Sequence, residues 1–203
     1  MTTPCSLISS LFVATFSMMA FEANAAIIIT NNSGVFNAIV DSMNGQTLAE
    51  DFQGYSGWYA SGLTGGTGDS AWTAEAPNGL YAQGGVLSTN SPNVALTLTF
   101  ASGNVFAIGG DFFNTDVDFG RAGGFVRISA GGVSYIYSSS SDSAFAGFVS
   151  TSDAIHSITF LPFGPNSANT YASSSAVMLG VVPSPAVLAL GALAGMITRR
   201  RRH

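Results

Sequence analysis

Several oxygen-bearing side chains lie close together in one stretch of the sequence, where they could bind a calcium ion. Three carboxylates and one amide fall within eight residues: Asp111, Asn114, Asp116 and Asp118. Calcium prefers such oxygen ligands, and the cation would neutralise the neighbouring negative charges. The spacing departs from that of an EF-hand loop. The stretch is therefore predicted to be either a calcium site or a polar turn between two strands, and no other cofactor is predicted.

Aromatic side chains in a Gly-rich stretch suggest a second kind of chemistry, the binding of sugars. The candidates are Trp58, Tyr59 and Trp72, with Tyr81 a few residues further on. Exposed aromatic rings stack on the apolar faces of pyranoses, while nearby carboxylates and carboxamides bond the hydroxyls. The alternative is that these rings pack into a core or shield a loop, and the sequence leaves both interpretations open.

Side chains that usually perform hydrolysis are scarce. A glycosidase needs two carboxylates across a cleft, and those near the aromatic residues are Glu50, Asp51 and Glu75. Ser56 lies in a segment that has tryptophan where a nucleophile elbow requires glycine. His156 alternates with apolar residues, as a histidine on a sheet surface does. We predict no catalytic residues, with a polysaccharide hydrolase as the alternative.

Charge is distributed unevenly along the chain. Charged residues make up 8% of the 203 residues, against about 25% in typical soluble domains. All six basic residues are arginine, and four of them lie at the C-terminus. Residues 26–181 therefore contain ten acidic and two basic residues, a net charge near −8. Such an acidic domain argues against nucleic acid as a partner.

The middle of the chain has the alternating pattern of antiparallel strands. In the clearest case Val94, Leu96, Leu98 and Phe100 share one face. Short segments of this kind, separated by Gly-, Ser- and Asn-rich turns, predict an all-β fold, a single antiparallel β-sandwich of jelly-roll type. The predicted strands are Ile27–Thr30, Thr47–Phe52, Gly79–Gln83, Val86–Thr89, Asn93–Phe100, Val105–Phe113, Gly124–Ala130, Val133–Ser138, Phe145–Ser150, Ile155–Leu161 and Tyr171–Leu179.

One short helix is predicted near the start of this domain, at Ser33–Ser42. Asn32 or Ser33 can cap it, and apolar residues at helical spacing form a stripe along one side.

The N-terminus has the features of a secretory signal peptide, residues 1–25. An apolar stretch from Leu7 to Phe21 precedes Ala23-Asn24-Ala25, the small-x-small pattern that signal peptidase cleaves. Cleavage between Ala25 and Ala26 would remove the only cysteine, Cys5. The exported domain, residues 26–181, is therefore expected to have no disulfide.

The C-terminal segment, residues 182–203, combines three elements. A short proline motif is followed by the apolar run Ala186–Ile197 and then by an arginine cluster. The run would form about 18 Å of helix, against roughly 30 Å of hydrocarbon in a bilayer. The arginines would hold the end of the chain in the cytoplasm. The motif and the cluster are Val182, Pro183, Ser184 and Pro185, and Arg199, Arg200, Arg201 and Arg202.

This tail resembles the PEP-CTERM sorting signal of Gram-negative bacteria. The resemblance implies an exosortase-like enzyme that processes the tail during transfer from the inner membrane to the cell surface. Ser184 stands where the family usually has glutamate. The domain also resembles the ectodomains that accompany such tails, in a Phe52-Gln-Gly54 start and an Ile108-Gly-Gly-Asp111-Phe112 strand.

Together these features predict an exported protein of the cell surface or extracellular matrix. Its expected partners are signal peptidase, an exosortase-like enzyme, the inner membrane through the C-terminal helix, and exopolysaccharide. The expected role is structural or adhesive, with weak carbohydrate binding. The alternatives are the hydrolase and a plain membrane-anchored periplasmic domain.

Overall fold

The computed structural model of the chain describes residues 26–139 and 145–182. The predicted signal peptide and its Ala25 lie outside the described residues, as do Pro183, Ser184, Pro185 and the arginines 199–202. At the two ends of the described domain, the Ala26 carbonyl accepts a hydrogen bond from the Thr151 N–H at 3.2 Å, and the Val182 N–H donates to the Asn104 carbonyl at 3.0 Å.

The described residues form fifteen strands and one α-helix. In chain order they are β1 (Ile27–Thr30), α1 (Ser33–Ser42), β2 (Gln46–Glu50), β3 (Gly57–Tyr59), β4 (Leu63–Gly65), β5 (Trp72–Glu75), β6 (Leu80–Gln83), β7 (Val86–Thr89), β8 (Leu96–Phe100), β9 (Val105–Thr115), β10 (Arg121–Ala122), β11 (Phe125–Ala130), β12 (Val133–Ser138), β13 (Phe145–Ser150), β14 (Ser157–Phe163) and β15 (Tyr171–Val181). Single 3-10 turns lie at Gly68–Ser70 and Ser167–Asn169.

The strands form two antiparallel sheets. The first sheet has the order β1-β13-β9-β15-β7-β6-β3, with β2 paired to β15 and β10 paired to β9. The second sheet has the order β12-β11-β14-β8-β5-β4. The all-β, antiparallel character predicted from the sequence is confirmed.

The two sheets share one hydrophobic core, which makes the arrangement sandwich-like. Alternate residues of each strand point inward, so Ile108 and Phe112 of β9 meet Ile128 and Phe160 of the second sheet. The rings of Phe112 and Phe160 are 4.9 Å apart. Each strand consequently presents its other residues to an outer face.

The helix covers one end of the first sheet's outer face. The Asn32 side chain accepts a hydrogen bond from the Val35 N–H at 3.0 Å and so caps α1. Phe36 and Val40 are fully buried against the sheet. Gly147 of β13 makes this approach possible, because a Cβ there would lie 2.7 Å from the Phe36 ring. Within residues 26–139 and 145–182, no helix is long and apolar enough to cross a bilayer.

Most predicted elements agree with the structure, and α1 has the predicted bounds. The first three residues of the predicted strand Asn93–Phe100 are not strand, because Asn93 has a left-handed φ of 54° and lies at the end of a turn. Phe52, at φ 55°, likewise lies beyond the end of β2. The sequence did not predict β3, β4, β5 and β10, which have two to four residues each.

Candidate functional site

The far end of the first sheet's outer face carries exposed aromatic residues. In the β3–β6 pair Trp58 lies opposite Tyr81, and Tyr59 lies opposite Leu80. Leu80 belongs to the core, so the alternate residues Trp58 and Tyr81 point outward together. Trp58 is 62% exposed, while Tyr81 is half-buried. These two rings form a platform at the edge of the sheet.

The loop between β9 and β10 folds over this end of the sheet. Asp116 organises it: its Oδ1 accepts hydrogen bonds from the Asp118 N–H at 3.0 Å and the Gly120 N–H at 2.8 Å. Phe119 adopts a left-handed φ of 65°, which is uncommon for a residue with a side chain. Its ring lies 5.4 Å from the Tyr81 ring. The loop therefore holds a third aromatic side chain, beside the two rings of the platform.

Between this loop and the sheet lies a cleft of about 110 Å³. It combines three aromatic rings with polar side chains, a composition typical of small-molecule sites. Its lining residues are Tyr81, Ser88, Thr89, Asn90, Asp116, Val117, Phe119 and Tyr171.

Three hydroxyl groups lie at the base of this region and bond to one another. Ser173 Oγ donates to Ser88 Oγ at 2.9 Å and lies 2.8 Å from Thr115 Oγ1. All three residues are at most 2% exposed. Since a buried hydroxyl without a partner costs free energy, the three satisfy one another and make a fixed floor.

A charged cluster lies further along β9 on the same outer face. Asp111 Oδ2 accepts hydrogen bonds from Arg121 and, at 2.7 Å, from Ser175 Oγ. The Arg121 guanidinium carbon also lies 3.8 Å from the centre of the Phe113 ring. The ion pair between Asp111 and Arg121 joins the start of β10 to the sheet.

The predicted calcium residues are not brought together as one set of ligands. Asp111 and Asn114 are three residues apart on β9, so their side chains lie on opposite faces. The Asn114 amide donates inward to the Phe125 carbonyl at 3.1 Å and to Ser139 Oγ at 3.3 Å. Asp116 and Asp118 are exposed in the loop. Among the described residues no three His, Cys, Asp or Glu side chains converge as a metal site requires. Calcium binding stays a prediction.

The predicted sugar-binding residues are divided between surface and core. Trp72 is 4% exposed, and its ring packs edge-on against Phe52 and Tyr55 at 5.7 and 5.8 Å. The Tyr59 hydroxyl, half-buried, bonds the Ser56 backbone at 3.2 Å. Trp58 alone of the three predicted residues offers an exposed ring.

The carboxylates considered for hydrolysis each have their own local surroundings. Glu50 accepts hydrogen bonds from the Trp72 indole N–H at 3.3 Å and from the Phe52 N–H at 3.1 Å. Burial and the Glu50 charge raise the pKa of the neighbouring Tyr55. Asp51 is exposed, with Oδ1 accepting from the Gln53 N–H at 3.1 Å. Glu75 is exposed at the end of β5 in the second sheet.

The remaining residues considered for catalysis are also at the surface. His156 and Ser56 are both exposed. The carbonyl of His156 accepts a hydrogen bond from the Phe100 N–H at 2.8 Å. The hydrogen bonds of both residues are made by their backbone groups, since the Ser56 N–H donates to the Tyr59 hydroxyl at 3.2 Å.

The sequence did not single out Phe119, Tyr171 and Asn90. Phe119 lies in a stretch that looks like a polar turn, and Tyr171 begins an ordinary strand. Alternation could have pointed to Tyr171, which lies at an outward position of β15, but not to Phe119 or Asn90, which lie outside the strands. Comparison with protein-family models and with curated proteins finds no match for this chain.

Proposed function

We propose that this chain is an exported structural or adhesive protein of the cell surface or extracellular matrix, which binds exopolysaccharide weakly through the outer face of its first sheet. The observation that carries the proposal is Trp58, 62% exposed and beside the outward-facing Tyr81. A large ring exposed to this degree leaves much apolar surface in water unless a ligand covers it.

The geometry of the platform suits a sugar. Trp58 lies on an edge strand of only three residues, where a polysaccharide could reach it. Pyranose rings have apolar faces that stack on aromatic rings, and hydroxyls at their edges that bond polar groups. The polar groups are supplied by the cleft on the other side of Tyr81.

The proposal on export depends on the two ends of the sequence. The signal peptide and the arginine run give the same topology, with the domain outside the inner membrane. The PEP-CTERM-like tail supports surface delivery by an exosortase-like enzyme. A jelly-roll connectivity is also part of the proposal, and it is supported by the chain's repeated change of sheet between β7 and β15.

Affinity electrophoresis of the full-length chain, purified in a mild detergent, tests the binding. Gels would contain soluble starch, hydroxyethyl cellulose or polygalacturonate. We expect retardation in at least one gel, and Trp58→Ala to weaken binding about tenfold through the loss of one stacking contact. Phe163→Ala is the matched control, because Phe163 is 40% exposed on the second sheet. The proposal is wrong if no gel retards the wild-type chain. It is also wrong if the Trp58→Ala variant is retarded as strongly as the wild type.

Fractionation of cells tests the sorting. We expect the surface fraction to contain a form shorter at its C-terminus than the form in the inner membrane. The double variant Pro183→Ala/Pro185→Ala should leave the full-length form in the inner membrane. If the wild-type protein itself remains full-length in the inner membrane, the chain is anchored there and the proposed sorting is wrong.

A further inference from the structure

We infer that the cleft between Tyr81, Phe119 and Tyr171 holds one residue of a neutral polysaccharide, and that Trp58 stacks on the adjoining part of the same chain. This inference rests on the proposed function and adds to it a second contact site and the class of sugar. Tyr81 separates the two positions and can contact both, because it is the cross-strand neighbour of Trp58 and also lines the cleft.

The walls of the cleft are aromatic and come from three separate elements. Tyr81 belongs to β6, Tyr171 begins β15, and Phe119 lies in the loop after β9. The Tyr81 and Phe119 rings are inclined at 50° to each other rather than stacked. The two rings, 5.4 Å apart, contact each other as adjoining walls, and a sugar would meet the surfaces that they turn towards the cleft.

The polar groups around the cleft have bonding capacity left over. Among the described residues, no hydrogen bond is made by the hydroxyls of Tyr81 and Tyr171 or by Asp116 Oδ2. Asn90 uses its Nδ2 on the Asn78 carbonyl at 3.1 Å and makes no such bond with its Oδ1. These groups comprise both donors and acceptors, which is what a ring of sugar hydroxyls needs.

The site is also formed in advance of binding. The two backbone hydrogen bonds to Asp116 Oδ1 fix the loop, and the buried hydroxyls of Ser88, Thr115 and Ser173 fix the floor. Holding Phe119 at a left-handed φ costs free energy that the fold supplies elsewhere. Preorganised groups lose little entropy on binding, which favours a ligand with few contacts.

The charges select a neutral ligand. Asp116 is the charged residue of the lining, and the exported domain is strongly acidic. Of the two arginines in the described residues, Arg121 is paired with Asp111, and Arg127 lies on the second sheet beside Phe163. A uronic acid carboxylate would meet Asp116 without a cation from the lining, so acidic polysaccharides should bind less well.

The test compares neutral and acidic polysaccharides on the full-length chain with the same electrophoresis. Soluble starch and hydroxyethyl cellulose are the neutral probes, and polygalacturonate is the acidic one. We expect at least one neutral probe to be bound more tightly than polygalacturonate. Equal or tighter binding of polygalacturonate overturns the assignment of sugar class.

Two variants test the cleft itself. Phe119→Gly removes the ring and suits the left-handed φ, so the loop keeps its path; we expect neutral binding to weaken about tenfold. Asp116→Asn keeps an Oδ1 for the two backbone bonds but removes the charge, and should raise binding of polygalacturonate relative to the neutral probe. Phe163→Ala again serves as the control.

The outcomes separate this inference from the proposed function. If Trp58→Ala lowers binding but Phe119→Gly and Asp116→Asn leave affinity and selectivity unchanged, the platform stands and the cleft is excluded. If the wild-type chain binds none of the probes, both fail. Circular dichroism melting of each variant shows whether lost binding reflects lost folding, and a destabilised Phe119→Gly is replaced by Phe119→Asn, which also tolerates this φ.

Discussion

The two outer faces of the sandwich differ in how they meet solvent. The first sheet is covered at one end by α1 and at the other by the loop after β9, with Trp58 left exposed at the edge. The second sheet has no helix against it among the described residues. Its outer face has hydroxyl pairs such as Thr97 and Thr159, 3.0 Å apart and only partly buried.

The same residue types therefore have different roles on the two faces. On the outer face of the second sheet, Ser and Thr hydroxyls can bond water, so they do not need a neighbouring hydroxyl as a hydrogen-bond partner. On the first sheet, Ser88, Thr115 and Ser173 are covered and depend on one another. On the first sheet, the loop after β9 covers polar side chains that would otherwise face water, and their hydroxyls bond to one another instead. The cleft lies between this loop and the sheet.

The largest effect is expected where the helix covers the first sheet. Phe36→Ala removes a fully buried ring that contacts Phe145 edge-on at 5.6 Å. It should lower the free energy of unfolding by about 3–5 kcal/mol. Phe163→Ala on the uncovered sheet should cost less than about 1 kcal/mol. Denaturant titrations measure both, and equal losses would refute the contrast between the faces.

A smaller effect is expected in the hydroxyl floor. Ser173→Ala removes the shared partner of Ser88 and Thr115 in a buried site, while Ser88 Oγ keeps its bond to the Thr89 carbonyl at 3.3 Å, so the expected cost is about 1 kcal/mol. Ser129 is the matched residue on the second sheet, since its Oγ pairs at 2.7 Å with the Oγ of Ser134, an exposed residue, and Ser129 itself is only partly buried. Ser129→Ala should change stability by no more than about 0.5 kcal/mol. Denaturation of the two variants side by side decides whether burial makes the difference.

Tyr137 connects the two sheets, because it reaches from the second sheet and its hydroxyl donates to the Phe112 carbonyl of the first. Burial, and then the Asp111 charge, raise the pKa of Tyr137 far above its usual range. Above about pH 10 the unfolded phenol loses its proton while the folded one keeps it, so stability falls by up to about 1.4 kcal/mol per pH unit.

Tyr137→Phe should remove this contribution to the alkaline slope, at a cost of about 1 kcal/mol at neutral pH for the lost hydrogen bond. Melting temperatures between pH 7 and about pH 11 measure it. A variant whose stability falls with pH as steeply as the wild type would show that Tyr137 is not the group responsible.

Local patterns account for much of the fold. Helix α1 has its predicted bounds because the Asn32 cap and the apolar stripe are contained within a few residues. The long strands β9 and β15 were predicted as well, although their residues are buried in runs rather than in strict alternation. Strand β3 was missed because three residues cannot show a period, although it carries Trp58.

The candidate site was predicted only in part, and the reason is the distance along the chain between its components. Trp58 and Tyr81 were both identified from their types. Trp72 was assigned to the same site, but it packs in the core and bonds Glu50, which lies 22 residues earlier. Phe119 and Tyr171 meet Tyr81 only because β6, β9 and β15 belong to one sheet.

By itself the sequence determined the helix, most of the longer strands, the inward-facing residues of β8 and the separation of charge that predicts export. These depend on local periodicity and on counts that folding does not change. The tertiary structure decided which outer face is covered, which tryptophan is exposed and where the cleft lies. Those features depend on pairings between strands far apart in the chain and on one loop returning across a sheet, and no local pattern encodes either.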